Sequence, residues 1–256
     1  MGENLFELLC CAEQGDKDAM WEAAWSITGD AYNREADPQL LPFALKYYKS
    51  LIDEGHTDAM LDFGAMYLTG TGVEKNREQA LAYYKMALDN KAVKAYRCIG
   101  NYYLYDNTDE GIPVRTTDME RIKKAYEYFK EGAEQCEVNC LYELGDLYLR
   151  GEVVEKDEEK AFLMYSKAFE CLPDDEFDDS EADIFLRLGE AYYWGIGTEP
   201  EYIFAIEYLQ KAYNLFKDRA GNGDRYAVPY VERAYNEWKN ILHELVTDIM
   251  EENSND

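Results

Sequence analysis

The chain is poor in positive charge and in histidine. Its 256 residues include 26 lysines and arginines against 53 aspartates and glutamates, so the formal net charge is −27, and there are two histidines. A surface this acidic repels phosphate groups, which argues against nucleic acid and anionic membranes as partners. The charge also keeps a protein soluble, and it is compatible with a basic partner without indicating one.

Long apolar runs and secretory features are also missing. No stretch of about 20 apolar residues exists, so no segment is expected to span a membrane. The first residues lack the basic region of a secretory signal, and Gly2 is not followed by Ser or Thr at the spacing of a myristoylation site. We therefore expect a cytoplasmic protein, and the same sequence would fit an effector that is exported without a cleaved signal.

Residues that commonly carry catalysis or hold metals are sparse. The six cysteines do not indicate a disulfide framework, because such frameworks belong to short secreted chains. Cys136 and Cys140 have neither a second pair nor a nearby histidine, and we interpret them as small buried thiols. His56 is expected in a turn and His243 on a C-terminal helix. No serine-nucleophile, phosphate-loop or H-E-x-x-H motif is present. The sequence therefore predicts no catalytic residue, no metal and no cofactor, and we do not expect an enzyme.

Two patterns alternate along the chain. The first is a small residue followed by a glycine and an aromatic residue, and it is centred on Ala24, Gly64, Gly100, Gly145 and Gly189. The second is an alanine followed by bulky, mostly aromatic residues. Its leading alanines, which are 36, 45, 36 and 44 residues apart, are Ala44, Ala80, Ala125, Ala161 and Ala205. A period near 36 with insertions is typical of helix-turn-helix repeats.

Both patterns have helical spacing. Ala80, Tyr84 and Ala87 fall at i, i+4 and i+7, which places them on one face of a helix. A glycine inside a helix costs about 1 kcal/mol relative to alanine. Gly64 and its equivalents are therefore expected where the next helix crosses closely.

Turn residues separate the two helices of each repeat. Gly70, Gly151 and Gly195 are expected to end a first helix. Asn76 and Asp157 are expected to cap the second helix, because short oxygen-bearing side chains accept the free N–H groups at a helix start.

These repeats resemble the Sel1-like repeat, a relative of the tetratricopeptide repeat. The segment from Ala59 to Ala87, with Gly70-Thr71-Gly72-Val73, matches that pattern best, and five copies cover about residues 17–224. The first copy carries a longer loop after Thr28, and the second carries an irregular insert over 106–118. The paired cysteines of the secreted members are absent, so penicillin binding is not carried over.

The resemblance implies an all-α fold, a right-handed α/α solenoid of about five helix-turn-helix repeats. It predicts an N-terminal capping half-repeat at 1–16, repeats over 17–224, a C-terminal capping helix at 225–251 and a disordered tail at 252–256. The residues Val231, Ala234, Trp238, Ile241 and Leu245 step 3, 4, 3, 4 along that last helix. This stripe fits a cap that covers the last repeat, and it also fits a coiled-coil seam for self-association.

The resemblance also implies a binding face. In related repeats the first helix of each pair lines the concave side, with exposed positions three before, one after and four after the mid-helix glycine. With Lys94 added as a neighbouring cation, the candidate partner-binding residues, all expected to be exposed, are Trp21, Trp25, Leu61, Lys94, Arg97, Asn101, Tyr142, Asp146, Leu186, Glu190 and Tyr193.

Two pairs in this set suggest specific roles. In tetratricopeptide clamps a cation and an asparagine on one helix hold a peptide carboxylate, and Arg97 and Asn101 stand one turn apart, with Lys94 before them. An asparagine at this position can equally serve backbone contacts alone. Trp21 and Trp25 are also one turn apart, and they are either exposed anchors for a partner or part of the core.

The resemblance therefore implies a scaffold or adaptor that binds a protein or peptide segment in the concave groove. One alternative is a structural module that self-associates through the C-terminal helix. A less favoured alternative is an enzyme or small-molecule site in the same groove.

Overall fold

The computed structural model describes residues 2–29, 38–107, 113–173 and 180–254, and these residues are predominantly helical. The chain divides into two compact units, Met1–Thr117 and Asp118–Asp256, whereas the sequence prediction treats the five repeats as one domain. None of the helices in the described residues is long and apolar enough to cross a membrane.

Unit 1 contains six helices and a small hairpin among its described residues. They are α1 Gly2–Glu13, α2 Lys17–Thr28, α3 Leu41–Asp53, α4 Thr57–Thr69, α5 Arg77–Asp89, α6 Lys94–Leu104, β1 Tyr105–Asn107 and β2 Pro113–Arg115. Each helix packs against the next in chain order, which is the arrangement of a helical repeat solenoid. The core of this unit includes Ala44, Tyr48 and Phe63, all of which are almost fully buried.

Unit 2 repeats the same arrangement. Its helices are α7 Met119–Glu134, α8 Val138–Arg150, α9 Glu158–Glu170, α10 Glu181–Trp194, α11 Tyr202–Gly221 and α12 Ala227–Ser254. Again each helix packs against its neighbours in sequence. The even-numbered helices from α2 to α10 carry the first sequence pattern and are called first helices below; the odd-numbered helices from α3 to α11 carry the second and are called second helices. The all-helical repeat architecture predicted from the sequence is confirmed.

The strands correct one detail of the prediction. β1 and β2 pair antiparallel, with Tyr105 opposite Arg115 and Asp106 opposite Val114, inside the insert that was predicted to be irregular. Residues 108–112 between the strands lie outside the described residues, as do residues 30–37 of the long loop expected after Thr28. The all-α prediction is therefore correct for the repeats and misses this hairpin.

The helices of a pair approach each other closely at three of the mid-helix glycines. A Cβ atom added at Gly64 would lie 2.5 Å from Cε1 of Tyr84, and one at Gly145 would lie 2.5 Å from Cε1 of Tyr165. A Cβ atom added at Gly189 would lie 2.6 Å from Cγ of Leu209. Real Cβ atoms do not come this close to other carbons, so the close crossing inferred from the sequence is confirmed at these three glycines. The five leading alanines of the second helices are completely buried.

The predicted helix ends are also confirmed. Gly70, Gly151 and Gly195 adopt the left-handed conformation at the ends of α4, α8 and α10, where an L side chain would be strained. The Asn76 side chain accepts hydrogen bonds from the backbone N–H groups of residues 78 and 79, and Asp157 accepts one from residue 160.

The turns that lead into α2, α4, α6 and α8 share a positive φ. Gly15 and Gly55 adopt it without strain, but the same turn holds Lys91 at φ 67° and Cys136 at φ 57°. In the sequence, residues 132–136 align with residues 11–15, which places Cys136 opposite Gly15, and this conformation explains that alignment. The interpretation as a buried thiol is confirmed for Cys140 and wrong for Cys136, which is exposed at the turn.

The last helix packs on α11 through the stripe predicted from its sequence. Ala234 and Ile241 are completely buried, and Val231, Trp238 and Leu245 pack beside them against a cluster that includes Phe216. This stripe is therefore used within the chain, as expected for a cap. The helix runs to Ser254, so it extends into the segment predicted as a disordered tail; residues 255–256 lie outside the described residues.

We predict that Gly64→Ala and Gly145→Ala each lower the free energy of unfolding by about 1–3 kcal/mol, because the added methyl group must displace a buried tyrosine ring. Urea denaturation measures this effect. Gly221→Ala is the matched control, since a Cβ there meets nothing within 4 Å, and we expect it to be neutral or stabilising by up to about 1 kcal/mol. Equal destabilisation by all three variants would contradict the close-packing argument.

We predict that Cys136→Gly raises the free energy of unfolding by about 0.5–1 kcal/mol, because it removes the strain of a left-handed L residue. Gln135→Gly in the same turn is the control: its φ is −103°, so we expect no gain. The same denaturation experiment measures both, and a Cys136→Gly variant no more stable than wild type would refute the explanation.

Candidate protein-binding site

In unit 1 the first helices α2, α4 and α6 are linked by polar side chains. Nε1 of Trp21 on α2 donates a hydrogen bond to Oδ2 of Asp62 on α4 at 2.9 Å. Nζ of Lys94 on α6 lies 3.5 Å from Oδ1 of Asp58 on α4. We call the surface that carries Trp21, Trp25, Asp58, Asp62, Lys94, Arg97 and Asn101 the α2–α4–α6 face.

Asp62 is the electrostatic centre of this face. Burial raises the pKa of its carboxyl group to about 6; the hydrogen bond from Trp21 opposes that shift, the neighbouring Asp58 adds to it, and the positive charges of Lys94 and Arg97 oppose it. The two cations therefore lie close enough to Asp62 to act on its charge. These cations stand among the carboxylates of Asp58 and Asp62 in a chain that is strongly acidic as a whole.

Arg97 and Asn101 both lie on α6 and are half-buried. Oδ1 of Asn101 is buried and accepts no hydrogen bond from any described residue. Arg97 already interacts within the chain. The predicted pair is therefore present on one helix beside Asp62, and Lys94, one turn earlier, is exposed.

The two tryptophans of α2 differ. Trp25 exposes 38% of its surface, which fits an anchor for a partner. Trp21 is half-buried, packs against the core of unit 1 and stacks on the ring of His56 with the centroids 6.2 Å apart. His56 lies in the turn before α4, as predicted, and its Nδ1 accepts the N–H of Ala59.

In unit 2 the corresponding positions are occupied by contacts within the chain. Asp146 on α8 accepts a bidentate pair from Arg187 on α10, with Nε–Oδ1 and Nη2–Oδ2 distances of 2.8 and 2.6 Å. The Arg187 guanidinium also lies 4.5 Å from the centroid of the Tyr142 ring. Two further candidates contact the last helix: Glu190 pairs with Arg233, and the Tyr193 hydroxyl donates to Glu244 at 2.9 Å.

The ion pair between α8 and α10 continues into a buried network. Nη1 of Arg187 donates a hydrogen bond to the backbone oxygen of Asp183 at 3.0 Å. Arg219 forms two ion pairs: its Nη1 lies 3.4 Å from Oδ2 of Asp183, and its Nη2 lies 2.7 Å from Oδ2 of Asp224. Burial raises the pKa of Asp183, and the two arginines oppose that shift. Buried charges need such partners, so this network joins α8, α10 and α11 and leaves no cation open for a ligand among its members.

Three candidate residues were expected to be exposed, and this expectation is wrong. Leu61, Tyr142 and Leu186 are all buried. Neighbouring helices cover two of them: Arg187 of α10 lies over Tyr142, and Leu186 packs in the cluster with α11 and α12.

Sequence reasoning missed Asp62 and Arg187, which both connect neighbouring first helices. A signal was available, because each is a charged residue two positions before the mid-helix glycine in an otherwise apolar stretch. Within the described residues, no group of three or more His, Cys, Asp or Glu side chains is placed to hold a metal ion.

We predict that Glu190→Gln stabilises the protein above about pH 8 and has little effect near pH 4. Burial and the facing carboxylate of Glu237 raise the pKa of Glu190 to about 8 in the folded state, while Arg233 opposes that shift. A raised carboxyl pKa contributes stability that is present below the unfolded value of about 4.3 and is lost as pH rises towards 8. Glutamine mimics the neutral form throughout, so the variant should keep that stability.

The measurement is the free energy of unfolding of both proteins from pH 4 to pH 9. Glu207→Gln is the control, because Glu207 is exposed and pairs with Lys211 on the same helix, where such a pair contributes at most about 0.5 kcal/mol. A Glu190→Gln effect that does not change with pH would contradict the proposed shift.

Comparison with known proteins agrees with this architecture. The family model described as Sel1 repeat matches residues 57–91, 110–135, 138–171 and 186–215. A curated relative, Activator of C kinase protein 1 of Saccharomyces cerevisiae, is 35% identical over 108 residues, which span 36% of this chain and 17% of that protein.

Solved structures show the same fold. A protective antigen of uropathogenic Escherichia coli that displays an SLR fold aligns with a TM-score of 0.60 and 23% identity, covering 93% of this chain and 48% of that one. A Sel1 repeat protein from Oxalobacter formigenes aligns with a TM-score of 0.59 and 23% identity, covering 91% of this chain and 60% of that one. This chain thus spans less than two thirds of each of these relatives. From these four matches and its fold, the chain carries Sel1 repeats.

Proposed function

We propose that this protein is a scaffold or adaptor that binds a protein or peptide segment on the α2–α4–α6 face of unit 1. The observation that carries the proposal is the arrangement around Asp62, where Trp21, Lys94 and Arg97 from the two flanking first helices act on one carboxylate. Sel1 repeat proteins generally serve as protein–protein interaction modules and are typically not catalytic.

The difference between the two units supports the choice of unit 1. In unit 2 the equivalent first-helix positions hold the Asp146–Arg187 ion pair and the Glu190–Arg233 pair. A ligand would have to displace these half-buried contacts, which costs more than displacing water. In unit 1 the ion pair between Lys94 and Asp58 joins two exposed side chains, and its contact is long, at 3.5 Å. Such pairs contribute about 0–1 kcal/mol, so Lys94 can exchange Asp58 for a ligand carboxylate at low cost.

The chemistry of the face favours an extended segment with a carboxylate and an apolar side chain. Arg97 can bind a carboxylate through two N–H groups, with Lys94 one turn away as a second positive charge. Trp25 offers exposed aromatic surface on α2, and aromatic anchors of this kind dominate many protein interfaces. The Asn101 amide, on the same helix as Arg97, supplies a hydrogen-bonding group for a peptide backbone.

The test compares capture of proteins from a native lysate by wild type and by the double variant Arg97→Ala, Asn101→Ala. The segment that wild type retains is then synthesised as a peptide with a free or an amidated C-terminus, and its dissociation constant is measured by calorimetry. We expect the double variant to bind at least about tenfold more weakly, as for loss of a charge-assisted contact. If the carboxylate is C-terminal, amidation should produce a similar loss.

Lys85→Ala is the matched control. Lys85 is an exposed cation on the second helix α5 of the same unit, so its removal changes the net charge equally without touching the face. Circular dichroism shows first that all variants are folded. A partner bound equally by all three proteins would reject the α2–α4–α6 face, and the absence of any retained partner would reject the scaffold function for this chain.

A further inference from the structure

The last helix carries a second apolar stripe that its packing on α11 leaves open. Val228, Tyr235 and Leu242 are seven residues apart and expose 56%, 39% and 38% of their surfaces. They lie beside the buried stripe of Val231, Ala234, Trp238, Ile241 and Leu245. Large apolar side chains in a continuous exposed row usually mark an interaction site.

A shallow groove runs next to this open stripe. It has a volume of about 370 Å³ and lies between α11 and α12, lined by Tyr213, Ala220, Val228, Val231, Glu232 and Tyr235. The Tyr213 ring lies 5.5 Å from the Tyr235 ring and 6.1 Å from the Trp238 ring, measured between centroids. These ring contacts give the groove a preformed aromatic wall.

The spacing of the open stripe specifies a helical occupant. Val228, Tyr235 and Leu242 alternate with Val231, Trp238 and Leu245 in steps of 3 and 4 residues, which is the a and d pattern of a coiled coil. The latter three side chains are half-buried on the α11 side, whereas each of the former three keeps more than a third of its surface exposed. A second helix laid along this seam would complete the pattern.

The open stripe is also complementary to itself. Val228 and Leu242 are each seven residues from Tyr235, so an antiparallel copy centred on Tyr235 places Val228 against Leu242 and the two tyrosines together. Glu232 and Lys239, both exposed, flank Tyr235 on the open side: Glu232 lines the groove, and Nζ of Lys239 lies 5.8 Å from the Tyr235 ring centroid. In the antiparallel pair, Glu232 of one copy meets Lys239 of the other. Such a two-fold contact is isologous and closed.

We propose that a second copy of this chain docks antiparallel along the Val228–Tyr235–Leu242 stripe of α12. The seam differs from the stripe that the sequence first indicated for self-association, because Val231, Ala234, Trp238, Ile241 and Leu245 are used to hold α12 on α11. It also lies in unit 2, apart from the residues proposed to bind a peptide, and it does not depend on that function.

The net charge of −27 gives this dimer a distinctive salt dependence. Two copies repel each other at long range, and about 0.15 M salt shortens the reach of that repulsion to about 8 Å. Association through an apolar seam should therefore strengthen as salt rises from low to moderate concentration. A basic partner helix on the same seam would show the reverse, because salt screens its attraction to the acidic chain.

The experiment is sedimentation velocity of the full chain over a range of concentrations, at two salt concentrations. We expect a monomer–dimer equilibrium that Leu242→Glu weakens at least about tenfold. Leu163→Glu is the matched control, because Leu163 is an apolar residue of α9 with 58% exposure outside the seam, and it should dimerise like wild type. Circular dichroism confirms that both variants are folded.

Charge reversal tests the antiparallel register. Glu232→Lys and Lys239→Glu should each weaken the dimer, since each places like charges opposite one another, and the double variant should restore it. A protein that stays monomeric under all conditions overturns the proposal. So does a dimer that persists unchanged in Leu242→Glu, or single charge variants that the double variant does not rescue.

Discussion

The close approach of each first helix to its second helix is the contact on which the rest of this structure depends. Gly64, Gly145 and Gly189 have no side chain, and a tyrosine ring or a leucine fills the space that a Cβ would occupy. Dispersion and apolar burial at such a contact are lost steeply with any gap, so the ring fixes both the distance and the rotation of the two helices. That rotation determines which first-helix residues point to the neighbouring repeat and which point to solvent.

The first helices then use charge in two ways. In unit 2 an arginine and several carboxylates are taken out of water between α8, α10 and α11, where the bidentate geometry of Arg187 on Asp146 offsets part of the cost of desolvation. In unit 1 one buried carboxylate, Asp62, accepts a hydrogen bond from the indole N–H of Trp21, and the nearby cation Lys94 stays exposed. The charged side chains of the first helices therefore pair with one another in unit 2, whereas in unit 1 the cation Lys94 stays exposed.

The final helix covers the end of the repeat array. A terminal repeat has one face without a neighbour, and α12 covers the apolar surface of α11 with Ala234 and Ile241 at its centre. Because the apolar residues of α12 extend over more than one side, covering α11 does not use them all. The row from Val228 to Leu242 stays open as a consequence, and its symmetric spacing limits what can pack on it.

The sequence by itself determined the repeat architecture, the helix ends and the close-crossing glycines, because these depend on local patterns: a period near 36, alanines at helical spacing, and glycine or asparagine where the backbone requires them. It also identified Cys136 as a residue in a glycine position, which its φ of 57° confirms. What only the tertiary structure decided was the exposure of individual first-helix residues. Leu61, Tyr142 and Leu186 are buried, and Asp146 and Glu190 are paired, because their partners come from helices some 40 residues away in the chain, and no local spacing encodes where those side chains meet. Which of the two stripes of α12 packs within the chain likewise depends on α11, because its surface contacts only one side of the last helix.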